Sequence, residues 1–120
     1  MNGRRAQSER NGRRGETMAA LYLLLTGWRI LARRVRSSRG EVDIVARRGQ
    51  TLCFVEVKWR ATQDALDTAI TVPRLRRVAA AAESVARRFE KPGDTQRIDV
   101  ILIAPRCWPR RVVNAWQPGA

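Results

Sequence analysis

Residues 40–59 read GEVDIVARRGQTLCFVEVKW and hold two runs of apolar and β-branched residues around the pair Gly49-Gln50. Such runs favour strands, and a Gly-X pair between two of them is typical of a two-residue hairpin turn. The sequence therefore predicts two strands, over residues 41–47 and 51–59, that pair antiparallel.

The hairpin turn also predicts which charged residues face each other. If the turn forms, Arg48 pairs with Thr51, and Asp43 lies directly opposite Glu56. Directly opposed residues have Cβ atoms about 4.5–5.5 Å apart, and two carboxylates at that distance repel each other unless a cation lies between them. Since side chains alternate between the faces of a strand, Lys58 points to the same side as Glu56.

This set of side chains suits phosphodiester hydrolysis. Mg²⁺ prefers a few carboxylate oxygens and otherwise keeps water or takes phosphate oxygens. The bound ion lowers the pKa of a coordinated water, and a neighbouring lysine can orient that water or stabilise the phosphate. The alternative is an ordinary cluster of Asp, Glu and Lys side chains on the solvated face of a hairpin.

Composition limits the other possibilities. The chain has 120 residues, which is the size of one domain, and 44% of them are hydrophobic, which is enough for a core. Its 24 Lys and Arg against 11 Asp and Glu give a formal net charge of +13, which attracts polyanions, nucleic acid first among them. The chain has no histidine, which excludes catalytic triads and zinc sites that need one.

The remaining elements follow from periodicity and turn residues. Residues 1–14 are basic and polar and predict a disordered arm, so residues 15–120 form a single domain. The sequence predicts an α/β fold in which helices flank a mixed sheet of about four to five strands. The further elements predicted are a helix over residues 16–26, a strand over 28–35, a polar connection over 61–71, a helix from Pro73 to about residue 89, a buried strand over 98–103 and an edge strand over 112–116.

The first apolar run could be mistaken for a targeting segment. Arginines precede residues 18–25, as in a signal peptide, but Gly27-Trp28-Arg29 follows in place of a small-x-small cleavage site. No stretch approaches the roughly 18–20 apolar residues of a membrane span. We therefore expect a cytoplasmic protein without a membrane partner.

Several blocks, in order, resemble the bacterial UPF0102 (YraN-like) family, which is similar to archaeal Holliday junction resolvases within the PD-(D/E)xK nuclease superfamily. The resemblance covers about residues 15–104, although Val42 stands where the superfamily motif has proline. The matching blocks are Gly15-Glu16, WRIL at 28–31, GEVDIVA at 40–46 and FVEVK at 54–58.

The resemblance implies a restriction-endonuclease-like core and a Mg²⁺- or Mn²⁺-dependent endonuclease that acts on DNA, including branched DNA. It implies that Asp43 and Glu56 are metal ligands and that Lys58 is the catalytic lysine. Glu16 matches the helix carboxylate that resolvase-like relatives point at the metal, as a third ligand that assists catalysis. The alternative for Glu16 is a carboxylate that stabilises the N-terminus of a helix.

Candidate nucleic-acid contacts flank this set. Arg74, Arg76 and Arg77 open the second predicted helix and could contact phosphates, or they could form its solvated face. Arg60 and Trp59 follow the lysine, and the indole could stack on an unpaired base or pack at the strand end. These contacts predict DNA as a partner, and the resemblance to junction resolvases, which act as dimers, implies a second copy of the chain as another.

The role of Asp99 stays open in the sequence. Asp99 interrupts an apolar strand, and a buried, hydrogen-bonded aspartate is a simpler interpretation than another metal ligand.

Two other functions are alternatives to the endonuclease. One is a non-catalytic nucleic-acid-binding protein that retains the fold, and the other is a ribosome-associated basic protein that binds through its arm.

Overall fold

The fold is built on one five-stranded mixed sheet. The computed structural model describes the backbone of residues 2–62 and 70–116. Within these ranges it describes the side chain of Arg10 and the side chains from residue 12 onward. The elements in chain order are α1 (Asn2–Leu25), β1 (Arg29–Ser37), β2 (Gly40–Arg48), β3 (Thr51–Trp59), α2 (Val72–Ala86), β4 (Thr95–Ile103) and β5 (Arg110–Val112). The strands lie side by side in that order.

The β2–β3 hairpin forms as predicted. Arg48 pairs with Thr51, and the ladder runs without a shift to the pair Ile44 and Val55. Gly49 has a φ of +60°, the left-handed conformation that the first residue of such a turn requires and that glycine adopts without strain. The predicted register is therefore confirmed.

The two helices cover opposite faces of the sheet. Strands β3 and β4 are parallel and are connected through α2, whereas the other neighbouring strands are antiparallel. On one face α1 packs through Leu23 against Ile44 and Val55, and on the other α2 packs through Val85 against Phe54. The predicted α/β architecture is confirmed, and it is compatible with a restriction-endonuclease-like core.

Helix α1 is longer than predicted. It begins at Asn2, so the structure continues the helix through residues that were expected to be a disordered arm and to precede a helix start at Glu16. The expectation rested on the lack of apolar residues in this segment. Arg, Ala, Gln and Glu are nevertheless good helix formers, and extending an existing helix does not require a new nucleation step. The division of the chain into arm and domain stays a prediction.

The ends of helix α2 and strand β5 also differ from the prediction, and part of one predicted segment lies outside the described residues. Helix α2 ends at Ala86, before the predicted end near Phe89, although the Phe89 side chain still packs against the core. Strand β5 covers Arg110–Val112 and stops before residue 116, because the backbone turns at Asn114, whose φ is +53°. Residues 63–69 of the predicted polar connection lie outside the described part.

No helix in the described ranges is both long enough and apolar enough to cross a membrane.

A buried ion pair lies at the turn end of the β2–β3 hairpin. The Arg47 guanidinium donates to both carboxylate oxygens of Asp94, over 2.8 and 2.7 Å, and also to the Phe89 carbonyl. Only 8% and 3% of the Arg47 and Asp94 side chains are exposed. The hydrogen bonds from Arg47 lower the pKa of Asp94 from 3.8 to about 2, with help from the Lys91 backbone N–H.

This pair predicts a pH dependence of stability in acid. Because the folded pKa of Asp94 lies below its unfolded value, the pair stabilises the native state above pH 4 and loses that effect as the pH falls toward 2. We expect the difference in melting temperature between the wild type and Asp94→Asn to shrink from pH 4 to pH 2. Thermal melts followed by circular dichroism measure it, with Glu90→Gln, an exposed carboxylate, as the control. A difference that stays constant over this range would contradict the assigned pair.

Candidate active site

Asp43 and Glu56 meet where the β2–β3 ladder ends. The last backbone pair is Ile44 with Val55, and one residue further the Asp43 carboxylate accepts the Val57 N–H over 2.8 Å. The Asp43 side chain thus takes the place of a β2 backbone carbonyl as the acceptor for this N–H of β3. The carboxyl groups of Asp43 and Glu56 lie within hydrogen-bonding reach of each other. The structure therefore brings the two predicted acids together.

The environment of Asp43 opposes its ionisation. Burial, the largest cause, and the charge of Glu56 raise the pKa of Asp43 from 3.8 to about 8, and the Val57 hydrogen bond offsets only part of this rise. Glu16 adds a smaller repulsion. Near neutral pH this environment therefore favours the protonated form of the Asp43 carboxyl group. A cation placed there would remove the same repulsion, which is the electrostatic demand of a metal site.

Lys58 lies at the rim of this pair. Its Nζ is 3.1 Å from Oε1 of Glu56, and the two side chains are only 14% and 16% exposed. The same face of β3 borders a narrow crevice that Arg74 and Leu75 of α2 line from the other side. The crevice has a volume of about 10 Å³, which is barely the space of one water molecule. The prediction that Lys58 and Glu56 share one side of β3 is confirmed, and this side faces α2.

Glu16 reaches the neighbourhood of the site from α1. It lies well inside the helix and not in its first turn, so the interpretation of Glu16 as a carboxylate that stabilises a helix N-terminus is wrong. The Glu16 side chain is 12% exposed, and Nε of Arg34 lies 3.1 Å from each of its two oxygens. Arg33 adds a longer contact of 3.6 Å. Two arginines of β1 therefore balance the charge that Glu16 brings close to Asp43.

Sequence reasoning did not find Arg34. Its φ is +53°, a conformation that costs an ordinary residue about 1 kcal/mol or more. By register Arg34 is the cross-strand neighbour of Asp43, between the pairs Arg33–Ile44 and Val35–Val42. The strained backbone sits beside the candidate site and sends the guanidinium to Glu16. An arginine inside an arginine-rich strand offers no sequence signal for this role.

The three predicted ligands do not form one cluster. Within residues 2–62 and 70–116, no three Asp, Glu, Cys or His side chains lie close enough to hold one metal ion. Asp43 and Glu56 form a pair, whereas Glu16 stands next to it in contact with Arg34. Two carboxylates are sufficient for Mg²⁺, which keeps several waters and takes oxygens from a phosphate substrate. The donor set therefore fits Mg²⁺ through Asp43 and Glu56, with Glu16 outside the direct ligands.

The predicted nucleic-acid contacts are spread over two regions. Arg74 lines the crevice beside Lys58, while Arg76 and Arg77 are exposed on α2. Arg60 is half-buried and donates to the carbonyl of Trp59. The Trp59 side chain packs on the α1 side of the sheet, on the opposite face of β3 from Lys58.

Gly15 allows that packing. A Cβ on Gly15 would lie 3.4 Å from the Cβ of Trp59, so α1 passes close to β3 here. This contact supports the interpretation of Trp59 as an aromatic residue packed at a strand end.

Asp99 is a structural residue, as the simpler interpretation predicted. It is fully buried and accepts hydrogen bonds from the Arg97 guanidinium and the Asn114 backbone N–H. It lies on the face of the sheet that α1 covers, next to Cys53, whose thiol has its pKa raised by burial to about 12. The cluster supplies neither a ligand nor a reactive thiol to the candidate site.

The raised pKa of Asp43 predicts how stability changes with pH in metal-free buffer. Because the folded pKa exceeds the unfolded one, the native state holds an extra proton between about pH 4 and pH 8, so stability falls as the pH rises through this window. We expect Asp43→Asn to remove up to about 1.4 kcal/mol of this loss per pH unit. Urea unfolding from pH 5 to pH 9 measures it, with Glu41→Gln, an exposed residue of β2, as the control. Parallel curves for the wild type and Asp43→Asn would contradict the assigned environment.

Known proteins of similar sequence align with nearly the whole chain. The sequence profile of the uncharacterised protein family UPF0102 matches residues 15–103, a range that contains Glu16, Asp43, Glu56 and Lys58. The UPF0102 protein of Erythrobacter litoralis is 56% identical over 96% of this chain and 99% of its own length. The UPF0102 protein of Sphingopyxis alaskensis is 58% identical over 95% of this chain and 98% of its own length. Because the profile covers strands β1 to β4 and the residues of the candidate site, and the relatives match nearly the full chain, the chain belongs to the uncharacterised protein family UPF0102.

Proposed function

We propose that this protein is a Mg²⁺-dependent endonuclease that hydrolyses phosphodiester bonds in DNA, with branched DNA as the first substrate to test. The observation that carries the proposal is the contact between two partly buried carboxyl groups, Asp43 and Glu56, with the Lys58 ammonium 3.1 Å from one of them. A hairpin that needed only a solvated charged face would not place two acids in contact and partly out of water, because each loses hydration and repels the other.

Each residue has a distinct task in this proposal. Asp43 and Glu56 would hold the ion, and the Val57 N–H fixes the Asp43 carboxylate in place. Bound Mg²⁺ supplies a coordinated water of lowered pKa and neutralises charge on the phosphate. Lys58 is oriented by Glu56 and donates to an oxygen of the scissile phosphate, where negative charge increases during attack. Arg74 lines the same crevice and provides a second positive charge for the phosphate backbone.

The charge of the chain sets the expected binding behaviour. A formal net charge of +13, carried almost entirely by arginine, supports strong binding to phosphate backbones with little preference for base sequence. Affinity should therefore fall steeply with salt. This behaviour holds for duplex and branched DNA alike, so the arrangement of strands in the substrate must be found by comparing cleavage rates rather than affinities.

A second candidate function has its own support. Glu56 is paired with Lys58, and Glu16 is paired with Arg34, so two of the three predicted ligands already have a counter-ion. In a protein that had kept the fold and lost the chemistry, such pairs would be structural. The alternative is therefore a non-catalytic nucleic-acid-binding protein.

One assay separates the two. The full chain is incubated with a labelled four-way junction, a duplex of the same length and an RNA duplex, in Mg²⁺, in Mn²⁺ and in EDTA. The endonuclease predicts DNA cleavage that requires the metal, is lost in Asp43→Ala and is kept in Glu41→Ala, a control on the same strand. Binding of the junction without cleavage in either metal would overturn the proposal in favour of the non-catalytic protein.

A further inference from the structure

An apolar groove lies on the side of α1 that faces away from the sheet. Met18, Leu21 and Leu25 follow one another at helical spacing on this face, and the loop after β4 supplies Trp108 as the opposite wall. The groove has a volume of about 460 Å³. Trp108 and Leu25 are 85% and 81% exposed, which is unusual for large apolar side chains grouped together. Such a patch marks a contact surface rather than ordinary surface composition.

The charges around the groove have one sign. Arg106 lines it, and Arg14 continues the helical stripe of Met18 and Leu21 toward the N-terminal end of α1. Arg14 is exposed. The lining residues that the structure describes include no Asp or Glu, and Glu16, the nearest helical carboxylate, points to the sheet side and is held by Arg34. A partner must therefore supply negative charge beside its apolar anchors.

A second copy of the chain does not meet this requirement. In a two-fold interface the same patch lies on both partners, so Arg106 and Arg14 of both copies would be brought into one interface. Each copy also carries a formal net charge of +13. Like charges placed together across an interface cost several kcal/mol, which a short apolar stripe would have to offset.

Nucleic acid is also a poor match. A base could stack on Trp108, but the wall formed by Met18, Leu21 and Leu25 offers no hydrogen-bonding group to a base edge or a phosphate. Recognition of an amphipathic helix in a groove uses this combination of aliphatic and aromatic walls with charges at the rim.

From these features we infer that the groove between α1 and Trp108 binds an acidic amphipathic helix of a partner protein. The leucines of that helix would enter between Leu21 and Trp108, and its carboxylates would reach Arg106 and Arg14. This surface serves assembly, and it is independent of the chemistry proposed for Asp43, Glu56 and Lys58.

Synthetic peptides test the inference. The probe is a labelled helical peptide of about 15 residues with leucine at i, i+3, i+4 and i+7 and glutamate at most other positions. Two matched peptides replace its glutamates with lysine or its leucines with serine. Fluorescence anisotropy with the full chain should show the leucine–glutamate peptide binding at least about tenfold more tightly than either control.

Variants of the chain assign the site. We expect Leu21→Ser and Trp108→Ser each to weaken binding of the leucine–glutamate peptide about tenfold, since both are anchors of the groove. Val72→Ser removes a comparably exposed apolar residue of α2 and should have no effect. Circular dichroism confirms that the variants are folded.

Three results would overturn the inference. The first is equal binding of the leucine-free peptide, or equal binding by Leu21→Ser, since either would show attraction to net charge alone. The second is a dimer in sedimentation velocity that Leu21→Ser dissociates, which would assign the groove to a second copy. The third is competition between the peptide and single-stranded DNA that Trp108→Ser abolishes, which would assign it to nucleic acid.

Discussion

We expect the replacement of Lys58 with alanine to lower the rate of the proposed Mg²⁺-dependent DNA cleavage by about 10²–10³-fold, the usual effect of removing one donor that stabilises charge in a transition state. The reason lies in its position. Its ammonium is held 3.1 Å from Glu56, in a part of the site where both side chains are largely shielded from water. A positive charge there is worth more than on the surface, because the local dielectric constant is lower.

The same substitution should leave DNA binding within about threefold of the wild-type affinity, since it removes one of many positive charges. Lys91→Ala is the matched control: it removes the other lysine of the chain, lowers the net charge by the same amount and changes an exposed residue. We expect Lys91→Ala to cleave at the wild-type rate. Single-turnover cleavage of the junction, together with gel-shift affinity measurements, checks both expectations.

Metal binding separates the role of Lys58 from those of the acids. Removing a cation beside two carboxylates cannot weaken their attraction for a divalent ion, so Lys58→Ala should bind Mn²⁺ at least as tightly as the wild type. Asp43→Ala removes a proposed ligand and should lose this binding. Electron paramagnetic resonance of Mn²⁺ measures the affinity without any turnover. Cleavage by Lys58→Ala at the wild-type rate would show that the lysine takes no part in the reaction. Tight Mn²⁺ binding by Asp43→Ala would contradict the proposed carboxylate metal site.

The turn of the hairpin explains why the central part of the site could be predicted. A two-residue loop fixes the register of both strands, and a one-residue slip would move Leu52 and Phe54 from the α2 side of the sheet to the α1 side. Local sequence therefore determined that Asp43 faces Glu56, and alternation put Lys58 on the side of Glu56. These contacts lie within twenty residues of one another, so no long-range information was needed.

Contacts between distant segments could not be predicted in this way. Glu16 approaches Asp43 where α1 packs at Gly15 against Trp59, and much of its charge is balanced by Arg34, which adopts a left-handed backbone. Both facts depend on tertiary packing, which overrides the ordinary preferences of these residues. The helical state of residues 2–14 was missed for another reason, since an apolar stripe predicts packed helices and these residues have none.

A buried charge inside the sheet carries the second large effect. Asp99 lies in β4 opposite Val55 and is fully buried. The Arg97 guanidinium donates to it over 3.1 and 3.3 Å, Nε of Arg111 lies 3.6 Å from it, and the Asn114 N–H donates over 2.9 Å. These partners come from β4, from β5 and from the turn after β5, so one carboxylate joins three parts of the chain.

We expect Asp99→Ala to lower the free energy of unfolding by about 3 kcal/mol, the lower end of the cost of breaking a buried ion pair. The lower end applies because the Arg97 and Arg111 side chains keep 20% and 16% of their exposure and can recover some hydration. Urea unfolding measures the loss. Glu83→Ala is the control, because its pair with Arg39 is exposed and such pairs contribute at most about 1 kcal/mol.

Asp99→Asn distinguishes the charge from the hydrogen bonds. An asparagine oxygen can still accept the Asn114 N–H, so the turn after β5 should stay in place while the two arginines lose their counter-ion. Hydrogen exchange should then show faster exchange over residues 110–116 in Asp99→Ala than in Asp99→Asn, with β2 and β3 protected in both. A loss below about 1 kcal/mol in Asp99→Ala would mean that the arginines reach water without cost. In that case the cation–π contacts of Arg97 and Arg111 with Trp28, at 5.3 and 5.7 Å, rather than Asp99, would hold this edge of the sheet together.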